Sequence, residues 1–348
     1  MSMTKLYSLA IVGATGAVGE KIKEQLEKRN FPIKQIKFLA SKRSAGKSIN
    51  FLNKTYIVEE ATPEAFEGID IALFSAGGSV SKELAPEAAK RGAVVIDNTS
   101  AFRMDIEVPL VVPEVNPKDL HGHKGIIANP NCSTIQMVVA LEPIRQAYGL
   151  NQVVVSTYQA VSGAGANAIK ELEEQSQTFG ETKDKQANIL PVKSATKHYP
   201  IAFNVIPQID VLDENGYTFE EMKMINETKK IMHMPELAVS ATCVRLPVVS
   251  GHSESVFIQI EKDDVTVEDL KKLLAESKGI QLLDNPSQQE YPMPLFAEGE
   301  DPVFVGRIRK DLSNNKGFHL WIVADNLLKG AALNSIQIAE AMIEEGIL

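Results

Sequence analysis

Apolar residues along this chain recur at two spacings. Short, nearly unbroken runs at 6–12 (LYSLAIV), 36–40 (IKFLA), 69–76 (IDIALFSA) and 93–100 (AVVIDNTS) have the length and composition of buried strands. Between them, at 20–29 and 79–92, apolar positions follow the helical period that puts one face on a core. Strand, turn and helix in repetition predict a mostly parallel sheet covered by helices. After residue 132 the pattern changes. Helical stretches at 134–149, 164–181, 219–232 and 265–277 are interspersed with β-branched or alternating runs at 152–163, 237–249, 253–261, 302–311 and 317–326. The segment 198–210 is irregular and broken by prolines. This predicts a second, α+β domain whose sheet carries helices on one face. The final amphipathic segment, 327–346, is expected to return to the first domain. The expected division is 1–131 joined by 327–348, and 132–326.

The turn after the first strand reads GATGAVG at 13–19 and leads directly into a helix. Gly13 permits a tight turn, Gly16 lets the backbone approach a phosphate, and Gly19 allows the helix to pack closely on the strand. The helix N-terminus supplies the anion site. A structural turn would use glycine too; the strand and helix on either side favour dinucleotide binding. The second strand is followed by SKRSAGK at 41–47. An NAD-preferring unit places an acid near this point, to hold the ribose 2′-hydroxyl. Here stand Ser41, Lys42, Arg43 and Ser44, two hydroxyls and two cations that suit a 2′-phosphate, so NADP is expected. A solvated basic loop is the alternative.

Composition narrows the classes. The chain has 348 residues, enough for about two domains. Its formal charge of -9, from 45 acidic and 36 basic residues, argues against a broad nucleic-acid footprint. No run approaches the length of a membrane span, and the opening MSMTKLYSLAIVGATGAVG reads as a strand and turn, not a signal peptide. Two cysteines provide neither a disulfide framework nor a thiolate metal cluster, and a cytoplasmic protein without metal is expected.

Cys132 lies in NPNCST at 129–134, where the helical pattern begins. In a first helical turn a thiol meets unpaired N–H groups and the positive end of the helix dipole, which favour the thiolate nucleophile. The competing reading is a small buried hydrophobe, and Cys243, inside an alternating run, is assigned to the core. Among six histidines, His252 follows Gly251 in RLPVVSGHSES at 245–255, read as a turn between strands from which a side chain can enter a cleft. Arg245 offers a guanidinium fork for a carboxylate. On one straight strand, residues seven apart would face opposite ways, so the two converge only if Pro247 and Gly251 bend the chain. Glu220 and Lys223 share a helix face, as pocket lining or as a surface pair. No HExxH, CxxC, GxxxxGK[ST] or GxSxG motif is present.

Taken in order, GATGAVG, SKRSAGK, DNTSAFR (97–103), NPNCST, YQAVSGAG (158–165), FEEMKM (219–224) and RLPVVSGHSES resemble the aspartate-β-semialdehyde dehydrogenase family over essentially the whole chain. The resemblance implies a Rossmann-type dinucleotide-binding domain and a catalytic and dimerisation domain of the glyceraldehyde-3-phosphate-dehydrogenase-like type. It implies Cys132 as nucleophile, His252 as acid/base and Gln159 as orienter of the intermediate. Arg245 would grip the substrate α-carboxylate, Glu220 its amino group, and Arg103 with Lys223 the phosphate. NADP would lie along Gly13, Ala14, Thr15, Gly16, Ala17 and Val18, with Ser41, Lys42, Arg43 and Ser44 at the 2′-phosphate end. Ser162, Gly163 and Asn326 would meet the nicotinamide end. A homodimer or homotetramer formed through the second domain is implied, with inorganic phosphate and a small amino-acid derivative as the molecules handled. The rivals are N-acetyl-γ-glutamyl-phosphate reductase, whose substrate has no free ammonium for Glu220, glyceraldehyde-3-phosphate dehydrogenase, which the SKRS segment disfavours, and a catalytically silent NADP-binding scaffold.

Overall fold

The computed structural model describes residues 5–177, 180 and 185–348. The chain divides into two compact units, Met1–Asn131 with Ala331–Leu348, and Cys132–Gly330. In the first, strands β1 (Tyr7–Val12), β2 (Ile33–Ala40), β5 (Glu59–Glu60), β6 (Ile71–Phe74), β7 (Val94–Asp97) and β8 (Ile126–Ala128) form a sheet in the order β5-β2-β1-β6-β7-β8, and every pairing is parallel. A small hairpin, β3 (Ser48–Phe51) with β4 (Lys54–Ile57), stands apart from it. Helices α1 (Ala17–Lys28) and α2 (Gly78–Lys90) follow β1 and β6.

The period of two along β1 divides its side chains between the two faces of the sheet. Leu9 and Ile11 join a core with Ile22 and Leu26 of α1, whereas Ala10 and Val12 join another with Leu84, Ala85 and Ala88 of α2. Burial on both faces explains why β1 is apolar throughout instead of alternating. The chain leaves β1 towards β2 and later returns to β6 on the other side. The strand order therefore reverses at β1, the point at which open sheets of this kind accept ligands beyond the carboxyl ends of their strands.

The second unit holds α3 (Cys132–Tyr148), β9 (Gln152–Gln159), α4 (Ala166–Ser176), α5 (Phe219–Ile231), β10 (Ala238–Arg245), β11 (His252–Gln259), α6 (Val267–Ala275), β12 (Ile280–Leu282), the single turn α7 (Pro294–Ala297), β13 (Val303–Lys310) and β14 (Gly317–Ala324). Its sheet runs β10-β9-β11-β14-β13-β12 and is mixed: β9 pairs parallel to β10 and antiparallel to β11. Helices α3, α5 and α6 pack on this sheet and on one another. Tyr158, Trp321, Arg307 and Arg309 line a separate recess of about 450 Å³.

Helix α8 (Leu333–Glu344) belongs to the first unit, where Ile336, Ile338 and Met342 enter the same core as Leu9 and Ile11. Arg29 clamps Glu340 there through Nε–Oε1 (2.7 Å) and Nη2–Oε2 (2.5 Å). The helical stretch expected at 327–346 is shorter because 328–332 is wound as a π-helical turn. The helix expected at 164–181 begins at Ala166 and ends at Ser176; residues 178, 179 and 181 lie outside the described residues. The strands and helices introduced above with no sequence expectation are β3, β4, β5, β8, β12 and α7, each of two to four residues and so too short to show a period. No helix among the described residues is long and apolar enough to cross a membrane.

Candidate active site

The glycine turn in the first unit is a cradle that side chains would fill. Gly13 has φ +88°, a left-handed conformation that favours glycine, and a Cβ there would stand 2.9 Å from the Ser75 carbonyl group. A Cβ on Gly19 would lie 2.5 Å from the Gly13 oxygen, so α1 packs on the turn more closely than any side chain allows. Beside the turn is a cavity of about 620 Å³ lined by Gly13, Thr15 and Gly16, by Ser41, Arg43 and Ser44, and by Ser75 and Ala76 at the end of β6. Ala14, Ala17, Val18 and Lys42 are not among its lining residues. Backbone N–H groups at the start of α1 together with the Arg43 guanidinium suit the phosphates of a dinucleotide. Also in this unit, buried Arg103 donates from Nε to the Asn129 carbonyl (3.0 Å) and from Nη2 to the Asn98 carbonyl (2.9 Å).

In the second unit, Cys132 is the first residue of α3 and remains partly exposed, while Ser133 and the residues after it are buried. The π-helical turn reaches the same place: a Cβ added to Gly330 would lie 2.6 Å from the Cys132 Cβ. Only glycine at 330 allows this approach.

Sheet register brings the other groups together. Arg245, at the end of β10, pairs with Gln159 at the end of β9. The Ser253–Tyr158 pairing places His252, the first residue of β11, level with Gln159 on the other side. Three strand ends thus present Arg245, Gln159 and His252 in one row, all buried. The bend expected at Pro247 and Gly251 joins two strands, so Arg245 and His252 converge from the ends of β10 and β11 with β9 between them. His252 is not in the turn, but opens β11 with no exposure. Convergence is measured at Gly163, where a Cβ would stand 3.0 Å from Arg245 Nη1 and 3.4 Å from His252 Nε2.

The Ala160 peptide holds both side chains. Its carbonyl accepts from Arg245 Nη1 at 2.6 Å, and its N–H donates to His252 Nδ1 at 3.1 Å. An acceptor at Nδ1 assigns the proton of the neutral ring to Nε2. Burial, reinforced by the Arg245 charge, holds His252 well below the ordinary histidine range, against a raising contribution from the Gly251 backbone. Nε2 is buried without a partner, and so is Arg245 Nε. Such orphaned donors in a deep row mark where a ligand's acceptors belong. Arg245 is itself pulled down by burial, while the Glu220 carboxylate acts to sustain its charge.

Helix α5 reaches the row through its first turn. Its capping box joins Thr218 to Glu221, and Glu221 Oε1 also accepts from the Cys243 N–H at 2.9 Å, pinning the helix start to β10. Glu220 Oε1 then lies 3.2 Å from Gln159 Nε2, which donates to Ser133 Oγ at 2.8 Å. Lys223 pairs with Glu220 at 3.4 Å and with Asp210 at 2.8 Å, so the helix-face pair is part of this site and not a surface bridge. Near Gly163, Asn326 exchanges hydrogen bonds with Ser162 and accepts the Gly251 N–H at 3.0 Å. Cys243 is fully buried and its thiol is pushed well above the ordinary thiol range, chiefly by that burial. His319 pairs with Asp311 at 2.8 Å. Among the described residues no cluster of three or more His, Cys, Asp or Glu could hold a metal.

Comparison with known proteins agrees with this arrangement. Residues 8–123 match the family model "Semialdehyde dehydrogenase, NAD binding domain", and residues 141–329 match "Semialdehyde dehydrogenase, dimerisation domain". An aspartate-semialdehyde dehydrogenase of Bacillus subtilis is 67% identical over 96% of both chains, and one of Aquifex aeolicus is 55% identical over 98% of this chain and 99% of its own. The chain belongs to the aspartate-semialdehyde dehydrogenase family. Among solved structures, aspartate semialdehyde dehydrogenase II from Vibrio cholerae superposes with a TM-score of 0.90 at 47% identity, covering 98% of this chain and 99% of that one. A Candida albicans aspartate semialdehyde dehydrogenase solved with NADP matches with a TM-score of 0.76 at 26% identity, covering 99% of this chain and 100% of that one. In these family terms, the glycine turn lies in the NAD-binding domain, and the row of Arg245, Gln159 and His252 lies in the dimerisation domain.

Sequence reasoning missed three participants: the Ala160 peptide, Gly330 and Asp210. A backbone group leaves no trace in composition, and Gly330 stands 198 positions after the cysteine it touches.

Proposed function

We infer that the chain carries out the reaction of its family, the NADPH-dependent reductive dephosphorylation of L-aspartyl 4-phosphate to L-aspartate 4-semialdehyde and phosphate. This step belongs to the route to lysine and diaminopimelate, threonine, methionine and isoleucine. The observation that carries the reading is the buried row of Arg245, Gln159 and His252 beside the first turn of α3, with two donors left open. Cys132 attacks the acyl carbon, forming a C–S bond as the bond to the phosphate oxygen breaks. Arg245 takes the α-carboxylate with Nε, and Glu220 takes the ammonium group, a partner that an N-acetylated substrate would not need. Arg103 and Lys223 hold the departing phosphate. When bound, NADPH supplies a hydride to the thioester carbonyl carbon. Gln159, fixed by Ser133 and Glu220, orients that carbonyl. His252 holds its Nε2–H on the carbonyl oxygen as that oxygen gains charge, and when the thiohemiacetal breaks down C=O re-forms, the C–S bond is lost and Cys132 leaves as the thiolate.

The cofactor reading rests on the glycine cradle and on Arg43, Ser41 and Ser44 in the adjoining cavity, which provide the 2′-phosphate with charge and hydroxyls. Lys42, outside the lining, is assigned a supporting electrostatic role. For assembly, the reading is a homodimer formed through the second domain, in a cytoplasmic enzyme. The deciding experiment follows NADPH oxidation with L-aspartyl phosphate and with N-acetyl-γ-glutamyl phosphate. Wild type turns over the first and not the second. C132A loses turnover by on the order of 10⁴-fold or more while still binding NADPH. Full turnover by C132A would end the reading.

A further inference from the structure

One row behind Arg245, Gln159 and His252 lies a second set of buried side chains. Cys243 on β10 pairs with Thr157 on β9, and Thr157 pairs with Glu254 on β11. Glu254 is two residues from His252 on the same strand and therefore on the same face, with Ile322 of β14 on its other side. It has no solvent exposure, and neither carboxyl oxygen has a hydrogen-bond partner. A carboxylate buried this way without a cation is too costly to persist. Among the described residues no lysine or arginine is paired with it, and Gln136 is the group in contact with its carboxyl.

Gln136 comes from the second turn of α3 and is itself buried. Its Nε2 donates to the His252 carbonyl at 3.3 Å, while its Oε1 finds no donor. Turning the amide round would set two carbonyl oxygens against each other. Gln136 Oε1 and both Glu254 oxygens are thus buried acceptors without a donor on two side chains in contact, and a proton on the carboxyl supplies the missing donor. We propose that Glu254 is a positioning residue for His252: as a neutral carboxylic acid it donates to Gln136 Oε1, and Gln136 in turn holds the His252 main chain. Burial independently favours the protonated form, raising Glu254 well above the ordinary carboxyl range against the lowering contact from Gln136. The consequence for the chemistry is geometric. His252 has its ring fixed at Nδ1 by the Ala160 N–H and its backbone fixed by Gln136, so its Nε2–H points in one direction as a hydrogen-bond donor. Glu254 touches no reacting atom in this scheme.

The inference rests on His252 as the hydrogen-bond donor, and H252Q tests that reading separately: full turnover by H252Q would remove it. For Glu254 the comparison is between E254Q and E254L. E254Q keeps a donor for Gln136 Oε1 and is expected to hold kcat within about twofold of wild type. E254L leaves Gln136 unsatisfied and is expected to lower kcat by about tenfold with little change in KM, as befits a misaimed hydrogen-bond donor. In the infrared spectrum, wild type near neutral pH should show the carbonyl band of a protonated, buried carboxyl that E254Q lacks. If E254L fails to fold, E254Q and the infrared band decide the matter between them. A loss of turnover in E254Q with a displaced pH profile, an unchanged kcat in E254L, or the absence of the band from wild type would each overturn the proposal, and would do so while H252Q remained inactive.

Discussion

The two sheets prepare their sites in different ways. In the parallel sheet of the first unit, the cradle is a short contiguous piece of chain, and its working groups are backbone N–H groups exposed by glycine at the end of β1. In the mixed sheet of the second unit, the site is dispersed from Cys132 to Gly330, and its working groups are side chains brought level by the pairing of β10, β9 and β11. A backbone site needs room, so it is written as a motif of small residues. A side-chain site needs register, so it is written as isolated residues whose relation appears only when strands pair.

This contrast can be broken at its tightest point in each unit. Gly330→Ala places a Cβ against Cys132, and a displaced nucleophile is expected to cost about 10²-fold in kcat with NADPH affinity unchanged. Gly19→Ala, which drives a Cβ into the Gly13 carbonyl, should do the reverse, raising the KM for NADPH while Cys132 alkylation continues at its normal rate. Steady-state kinetics with NADPH titration and an iodoacetamide time course separate them. If both variants lose both functions, the two sites are not separately built.

A smaller effect tests the side chain that completes the backbone site. Arg43→Ala should raise the KM for NADPH by about tenfold, the worth of one charge-assisted contact to a phosphate, and leave the KM for NADH nearly unaltered. Equal losses with both cofactors would remove Arg43 from the 2′-phosphate. Lys42→Ala, at a residue outside the cavity lining, should act more weakly.

The smallest effect on turnover comes from E254Q, but its stability carries information. Glu254 is raised by burial, from the 4.5 of an unperturbed carboxyl. Above that pH the unfolded wild-type chain releases a proton that the folded chain retains, so wild type loses stability as the pH rises. The slope is about 1.4 kcal/mol per pH unit at most. E254Q has no such proton. Thermal unfolding should therefore find E254Q the more stable protein near neutral pH, with the gap closing as the pH falls towards 4.5. His252 is held low by burial and destabilises the fold on acidification, but equally in both proteins, so it cancels from the difference. A wild type as stable as E254Q near neutral pH would mean that Glu254 is ionised.

Much of the first unit could be read before any coordinates. Residues 6–12 were expected as a strand and β1 is Tyr7–Val12, because a strand buried on both faces must be apolar at every position. The cradle was legible for the same reason as any motif: the constraint is local. In the second unit the helices were visible from their period, and Cys132 could be placed at the first turn of α3. Glu254 was also within reach, since HSES sets an acid two residues after a candidate histidine on an alternating strand, and thus on the same face. What could not be read was which neighbour each residue meets. Arg245 and His252 are close in sequence and converge across the bend at 246–251, but the strand between them in space, β9, comes from some 90 residues earlier in the chain.

Taken alone, then, the order of residues determined the alternation of strands and helices, the glycine cradle, the absence of an acid from 41–47, and the family to which the motifs point. These depend on properties of residues a few positions apart: side-chain period, backbone freedom, charge. Tertiary structure decided the rest. It put β9 between β10 and β11, set the Ala160 peptide against His252 and Arg245, pressed Gly330 on Cys132, and buried Glu254 where it must keep its proton. Each of these is a contact between distant parts of the chain, and its energy comes from burial and hydrogen bonding that exist only once the sheet has formed.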